Sequence, residues 1–113
     1  MSLTVDVQTH STISILKLNG DLTVSDQGVL SMAAKPLIER EQARIVLDLG
    51  AVPFITSSGL GELVRLVAQA NSQGGRVLLA NPTPFVADVL DTTKLNKFFE
   101  VCDSVETALA RLR

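Results

Sequence analysis

Residues 44–66 read RIVLDLGAVPFITSSGLGELVRL, and their reading decides the fold. Ile45-Val46-Leu47-Asp48-Leu49 is a short, nearly continuous apolar run. A strand of that kind is covered on both faces, as in a parallel sheet, because a strand with one wet face would alternate. A loop follows, then three consecutive hydroxyl residues, Thr56, Ser57 and Ser58. Beyond them the spacing predicts a helix over 58–73, with Leu60, Leu63, Val64 and Val67 on its buried side. Gly74-Gly75 marks its end, since glycine takes the left-handed backbone of a helix C-terminus without strain.

Outward from this unit the same alternation continues. Val77 to Ala80 is a second buried strand and Asn81-Pro82-Thr83-Pro84 a rigid loop. A short helix is expected over 84–93 and a last strand over 97–102. Ser104 is placed to cap a final helix running to about Leu112. Toward the N-terminus, residues from about Ser25 to Gln42 carry Leu30, Ala33, Ala34, Leu37 and Ile38 on one helical face. Thr23 or Ser25 can supply its N-cap oxygen, and Pro36 predicts a kink or an early stop. Before that, Leu3, Val5 and Val7 alternate with polar residues, and Ile13, Ile15 and Leu16 to Leu18 resume after Thr9-His10-Ser11. These two runs predict a hairpin at the edge of the sheet, closed off by Asn19-Gly20-Asp21. The order ββαβαβαβα implies crossover connections and parallel pairing. The expected fold is one α/β domain over residues 1–113: a central mixed, mostly parallel sheet with an N-terminal hairpin and about four helices.

Composition narrows the function. Aromatic residues are 4% of the chain with Trp and Tyr absent, so the core must be built from Leu, Val, Ile and Ala. A net charge of −2 argues against a nucleic-acid binder, which would carry a basic face. Cys102 is the single cysteine, which rules out an intrachain disulfide and suits a reducing, cytoplasmic setting. Neither a signal-peptide pattern nor an apolar run of membrane-spanning length is visible, so direct membrane insertion is not expected.

The usual catalytic patterns are missing. Gly59-Leu60-Gly61 lacks the third glycine of a dinucleotide loop, and no Walker-type phosphate loop occurs. Ile55 stands where a nucleophile elbow needs glycine before Ser57. His10 reads as a hairpin-turn residue and Cys102 as a small buried hydrophobe, which leaves neither a base nor a zinc site. Asp21, Asp26, Asp48 and Glu62 are spaced as turn formers, caps and solvated charges. No enzyme, cofactor or metal is expected.

The hydroxyl cluster is what remains. It follows a buried strand and opens a helix, on the sheet edge where α/β domains place their sites. Free amides and the positive end of the helix dipole favour an anion there. On the residues alone the cluster can cap the helix, carry a phosphate, or do both. Gly59 and Gly61 would leave the surface uncrowded for a second protein.

The whole stretch 44–66 closely resembles the signature of STAS domains, specifically the bacterial anti-sigma factor antagonists: an apolar strand ending in D-L, a short loop, an apolar pair, then D-[ST]-[ST]-G-L-G and a helix. ILKLNGDLTV (15–24) is similar to the family's second strand and its G-[DE]-[LI] turn. GGRVLLANPTPFVADVLDTTKLNKFFEVCDSVETAL (74–109) is similar to its later strands, Pro-containing loop and last helices. The resemblance implies phosphorylation at Ser57, with Ser58 the second hydroxyl, the runner-up acceptor and the better cap. It implies a partner-binding surface of Asp21, Thr56, Ser57, Ser58, Gly59, Leu60, Gly61 and Glu62. Thr56 departs from the pattern, standing where the family usually has Asp.

The implied mechanism is partner switching. The unphosphorylated chain would bind an anti-sigma factor that is also a serine kinase of the histidine-kinase-like ATPase fold. Phosphate on Ser57 would release it, with Glu62 adding repulsion if it lies nearby, and a serine phosphatase would reset the switch. Two other readings are a STAS scaffold subunit, as beside the ATPase of a lipid-transport ABC system or in a signalling complex, and a module holding a nucleotide or other anion at 57–61.

Overall fold

The structure, a computed structural model, describes residues 3–23 and 28–113. Five strands form one sheet in the order β1-β2-β3-β4-β5: Thr4–His10, Ile13–Asn19, Arg44–Ala51, Arg76–Ala80 and Glu100–Cys102. β1 and β2 pair antiparallel as the expected hairpin, turning at Ser11-Thr12, and every later pairing is parallel. The helices are α1 (Val29–Ile38), α2 (Ser57–Ser72), α3 (Pro84–Thr92) and α4 (Val105–Leu112).

Each central strand feeds two cores. In β3, Ile45, Leu47 and Leu49 face α1, α2 and α3, whereas Val46 turns to the opposite face. In β4, Val77 and Leu79 take the first face and Leu78 and Ala80 the second. Among the described residues the second face is covered by α4 alone, through Ala108, Leu109 and Leu112. This is why both runs are apolar at almost every position: neither face reaches water. Fully buried leucines such as Leu47, Leu63 and Leu79 each stabilise the fold by on the order of 2 kcal/mol relative to exposure. Cys102, 2% exposed, lies in the α4-side core as the small hydrophobe expected of it.

Several boundaries differ from the expectation. Helix α1 ends at Ile38, not near Gln42. Pro36 removes the donor that would bond Met32's carbonyl, and the helix stops two residues later, as its early-stop reading anticipates. Its N-cap is Gly28, in left-handed backbone (φ 91°) with no side-chain cap bond, so Thr23 does not cap it; Ser25 and Asp26 lie outside the described residues. The last strand is confined to Glu100–Cys102, because Leu95–Lys97 form a short 3-10 turn. Phe98 is exposed there and Phe99 alone enters the core. In β1, Leu3 just ahead of the strand is buried and Val5 half-buried, but Val7 is exposed, on the strand that forms the edge of the sheet.

At the other predicted caps the local chemistry holds. Gly74 (φ 76°) follows the C-cap of α2, and Ser104 Oγ accepts the Thr107 N–H at 3.1 Å at the start of α4.

Candidate functional site

The site forms where two loops cross at the C-terminal edge of the parallel strands. The first leaves β2 through Gly20 (φ 107°), whose N–H donates to the Ala51 carbonyl at 2.9 Å. Leu22 then makes a parallel bridge to Ile55. Its N–H donates to the Phe54 carbonyl (3.0 Å) and its carbonyl accepts the Thr56 N–H (3.1 Å). Leu22 is fully buried, so this crossing is anchored in the core below it. The half-buried Asp21 is thereby carried to the same edge as the hydroxyl cluster.

Thr56 is the N-cap of α2, with extended backbone (φ −96°, ψ 169°). Its Oγ1 accepts the Gly59 N–H at 3.1 Å and its carbonyl accepts the Leu60 N–H at 2.8 Å. The hydroxyl proton is directed at the Leu22 carbonyl, 3.5 Å away. This corrects the expectation that Ser58 caps the helix. All three hydroxyls are chemically competent caps. The Leu22 carbonyl decides among them, by holding the Thr56 N–H and so making Thr56 the last extended residue. Ser57 and Ser58 are then the first two helical residues. Both are exposed, and among the described residues neither hydroxyl has a hydrogen-bond partner.

The rest of the motif divides between inside and outside. Gly59 is buried, and a side chain there would overlap the Leu22 carbonyl. Its missing side chain admits the chain's own backbone and not a second protein, contrary to the open-surface reading. Leu60 is also buried, packed into the main core. Gly61 does face outward, and a methyl group there would meet only Arg65 Nη1, at 3.5 Å.

Charge is arranged around this face in a way that spacing alone leaves open. Glu62 lies about 140° around the helix axis from Ser57. Its carboxylate accepts from Ser31 Oγ of α1 at 3.1 Å, so it is turned toward α1 and away from Ser57. Arg65 bends back along α2 until its guanidinium overhangs Gly61. Among the described residues it has no hydrogen-bond or ion-pair partner. The i,i+4 relation of Gly61 and Arg65 is a signal for this placement, since helical side chains lean toward the N-terminus. Nothing in the sequence marks Ser31 as the partner of Glu62.

A groove of about 230 Å³ between α1 and α2 is lined by Ser31, Lys35, Ile38, Glu62, Arg65, Leu66 and Gln69, and it does not include residues 57–61. His10 pairs with Ile13 at the start of β2, which is in register with Arg44 at the start of β3. It therefore stands at the opposite end of the sheet from Ser57, too far to act as its base. Among the described residues no three His, Cys, Asp or Glu side chains gather as a metal site. None of the described helices is long and apolar enough to cross a membrane.

Comparison with known proteins agrees with this architecture. The family model of the STAS domain matches residues 4–108. The chain is 30% identical over 113 residues to the anti-sigma F factor antagonist of Paenibacillus polymyxa, covering 99% of this chain and 97% of that one. Among solved structures, protein TM1081 of Thermotoga maritima superposes with a TM-score of 0.89 at 24% identity, covering 96% of this chain and 94% of that one. The Bacillus cell fate determinant SpoIIAA in its phosphorylated form gives 0.73 at 20% identity, with 97% and 100% covered.

Proposed function

The chain belongs to the STAS domain family, among its anti-sigma factor antagonists, and on that premise we propose that it is a partner-switching protein whose phosphoacceptor is Ser57. Unphosphorylated, it binds an anti-sigma factor that is also a serine kinase of the histidine-kinase-like ATPase fold. That kinase transfers phosphate from ATP to the Ser57 hydroxyl and is released, and a serine phosphatase restores the binding form. The chain is in this reading a substrate and a ligand, not an enzyme, and it works in the cytoplasm, where the kinase finds ATP.

The observation that carries the reading is the division of labour at the start of α2. Thr56 holds the cap, and Ser57 is exposed with no hydrogen-bond partner for its hydroxyl among the described residues. Asp and Thr are both good N-cap residues, so Thr56 keeps the structural part of the family's usual aspartate. Phosphorylation adds roughly 1.5 to 2 negative charges at the first helical position. The helix dipole tolerates that charge in the free protein. A partner pressed against the same position does not, since it must desolvate the phosphate. The switch therefore needs no refolding.

The test is to incubate the chain with histidine-kinase-fold anti-sigma factors of its own cell and ATP, and to read intact mass and binding together. Wild type should gain one phosphate and Ser57→Ala none, while Ser57→Ala still binds and Ser57→Asp does not. Equal affinity of the two variants would falsify the switch. Stable association with no phosphate gained would instead identify a scaffold subunit.

A further inference from the structure

The surface next to Ser57 is not uniform. Toward α1 it is polar and charged, with Ser31, Lys35, Glu62 and Arg65. Toward α3 it is aromatic. Phe54, three residues before Ser57, and Phe85, the second residue of α3, lie with ring centroids 5.2 Å apart at 30°. They are two of the chain's four phenylalanines, yet they remain 43% and 44% exposed. Their backbone is tied down from both sides. The Phe54 carbonyl accepts from Leu22, the Thr83 hydroxyl donates to the Val52 carbonyl at 2.7 Å, and the Asn81 N–H donates to the Cys102 carbonyl at 2.9 Å. The pair is thus a pre-organised apolar platform whose ordering cost is met in folding, not in binding.

We propose that the Phe54–Phe85 pair is the apolar anchor on which the anti-sigma kinase seats itself to reach Ser57. This rests on the switch reading above and names the surface it uses. The occupant follows from geometry. Phosphoryl transfer requires the Ser57 oxygen to approach the γ-phosphate to about 3–3.5 Å. A standard interface covers about 800 Å² per partner, a disc of roughly 16 Å radius around that point. Three residues span at most about 11 Å, so Phe54 lies inside the disc, and Phe85 stacks on it. A kinase whose interface is centred on Ser57 therefore has both rings within its reach. Aromatic side chains in the dry centre of an interface carry a large share of its affinity. The same dryness makes the switch effective, because a phosphate formed beside a desolvated aromatic patch loses its hydration.

The test uses the full chain and the kinase that phosphorylates it, in the ADP-bound form, by titration calorimetry. Phe85→Ala and Phe54→Ala should each weaken binding about tenfold or more. Phe98→Ala, an equally exposed ring at the other end of the sheet, should stay within about twofold of wild type. The affinity ratio of unphosphorylated to phosphorylated protein should also fall in Phe85→Ala. Thermal melts of the free variants establish that all three are folded. Wild-type affinity in both Phe54→Ala and Phe85→Ala, with Ser57 still phosphorylated in the parent, overturns the anchor and leaves the switch standing. A wild type that neither binds nor accepts phosphate overturns both. Concentration-dependent self-association abolished by Phe85→Ala, with kinase affinity unchanged, would assign the platform to a second copy of this chain and also overturn the proposal.

Discussion

Gly59 packs against the backbone of Leu22, close enough that a β-carbon on Gly59 would overlap the Leu22 carbonyl oxygen. The oxygen cannot move aside, because it accepts the Thr56 N–H and its residue is fully buried. Gly59→Ala is therefore expected to destabilise the protein by about 1–3 kcal/mol through overpacking. Gly61→Ala, two positions on, meets only the flexible end of Arg65, and should gain about 0.5–1 kcal/mol from the better helix propensity of alanine. Urea unfolding midpoints of the two variants should move in opposite directions. Equal shifts would sink this account of why the two glycines differ.

Thr56 and Ser58 offer a second contrast. Thr56→Ala removes the oxygen that accepts the Gly59 N–H and is expected to cost about 1 kcal/mol. Thr56→Asp keeps that acceptor and places a negative charge at the positive end of α2, for a gain of about 0.3–1 kcal/mol. Ser58→Ala should change stability by less than about 0.5 kcal/mol, since the Ser58 hydroxyl has no partner among the described residues. Guanidinium denaturation of the three variants measures the set. A Ser58→Ala loss as large as that of Thr56→Ala would return the cap to Ser58.

Far from the site, Arg76 of β4 and Glu100 of β5 form a two-pronged ion pair, with Nε to Oε1 at 2.7 Å and Nη2 to Oε2 at 2.6 Å. The hydrogen bonds from Arg76 hold the Glu100 carboxyl below its ordinary value of 4.5, against an opposing effect of burial. Because the folded value is depressed, the stabilisation is fully present above the unfolded carboxyl's range. It is lost as pH falls through the folded value. Both side chains are substantially exposed, 46% and 42%, so the contribution is at most about 1 kcal/mol and is screened by salt. Glu100→Gln should lower the unfolding midpoint slightly at pH 7, and the difference from wild type should vanish in acid and shrink in about 1 M salt. A difference that grows on acidification would contradict the sign.

What could be read early was whatever a few neighbouring residues settle among themselves. The all-apolar runs of β3 and β4 announce two covered faces, Ser104 caps α4 from its own sequence position, and Gly74 closes α2 with its own backbone. The 97–102 run misleads for a local reason as well. Its apolar residues satisfy a strand pattern, but Lys94 takes left-handed backbone (φ 61°) and starts a 3-10 turn instead.

By itself, the sequence determined the α/β alternation, the hairpin, the position of the hydroxyl cluster at a strand-to-helix junction and the family signature that surrounds it. Periodicity and turn chemistry act over a few residues, and they suffice for that much. Only the tertiary structure decided which of the three hydroxyls caps the helix. The Leu22 carbonyl, 34 residues before Thr56, sets where α2 begins and so gives the cap to Thr56. In the same way Phe54 meets Phe85 across 31 residues, and Glu62 turns to Ser31 across another 31. Contacts at such separations depend on which loops the sheet brings to one edge, and local pattern does not contain that information.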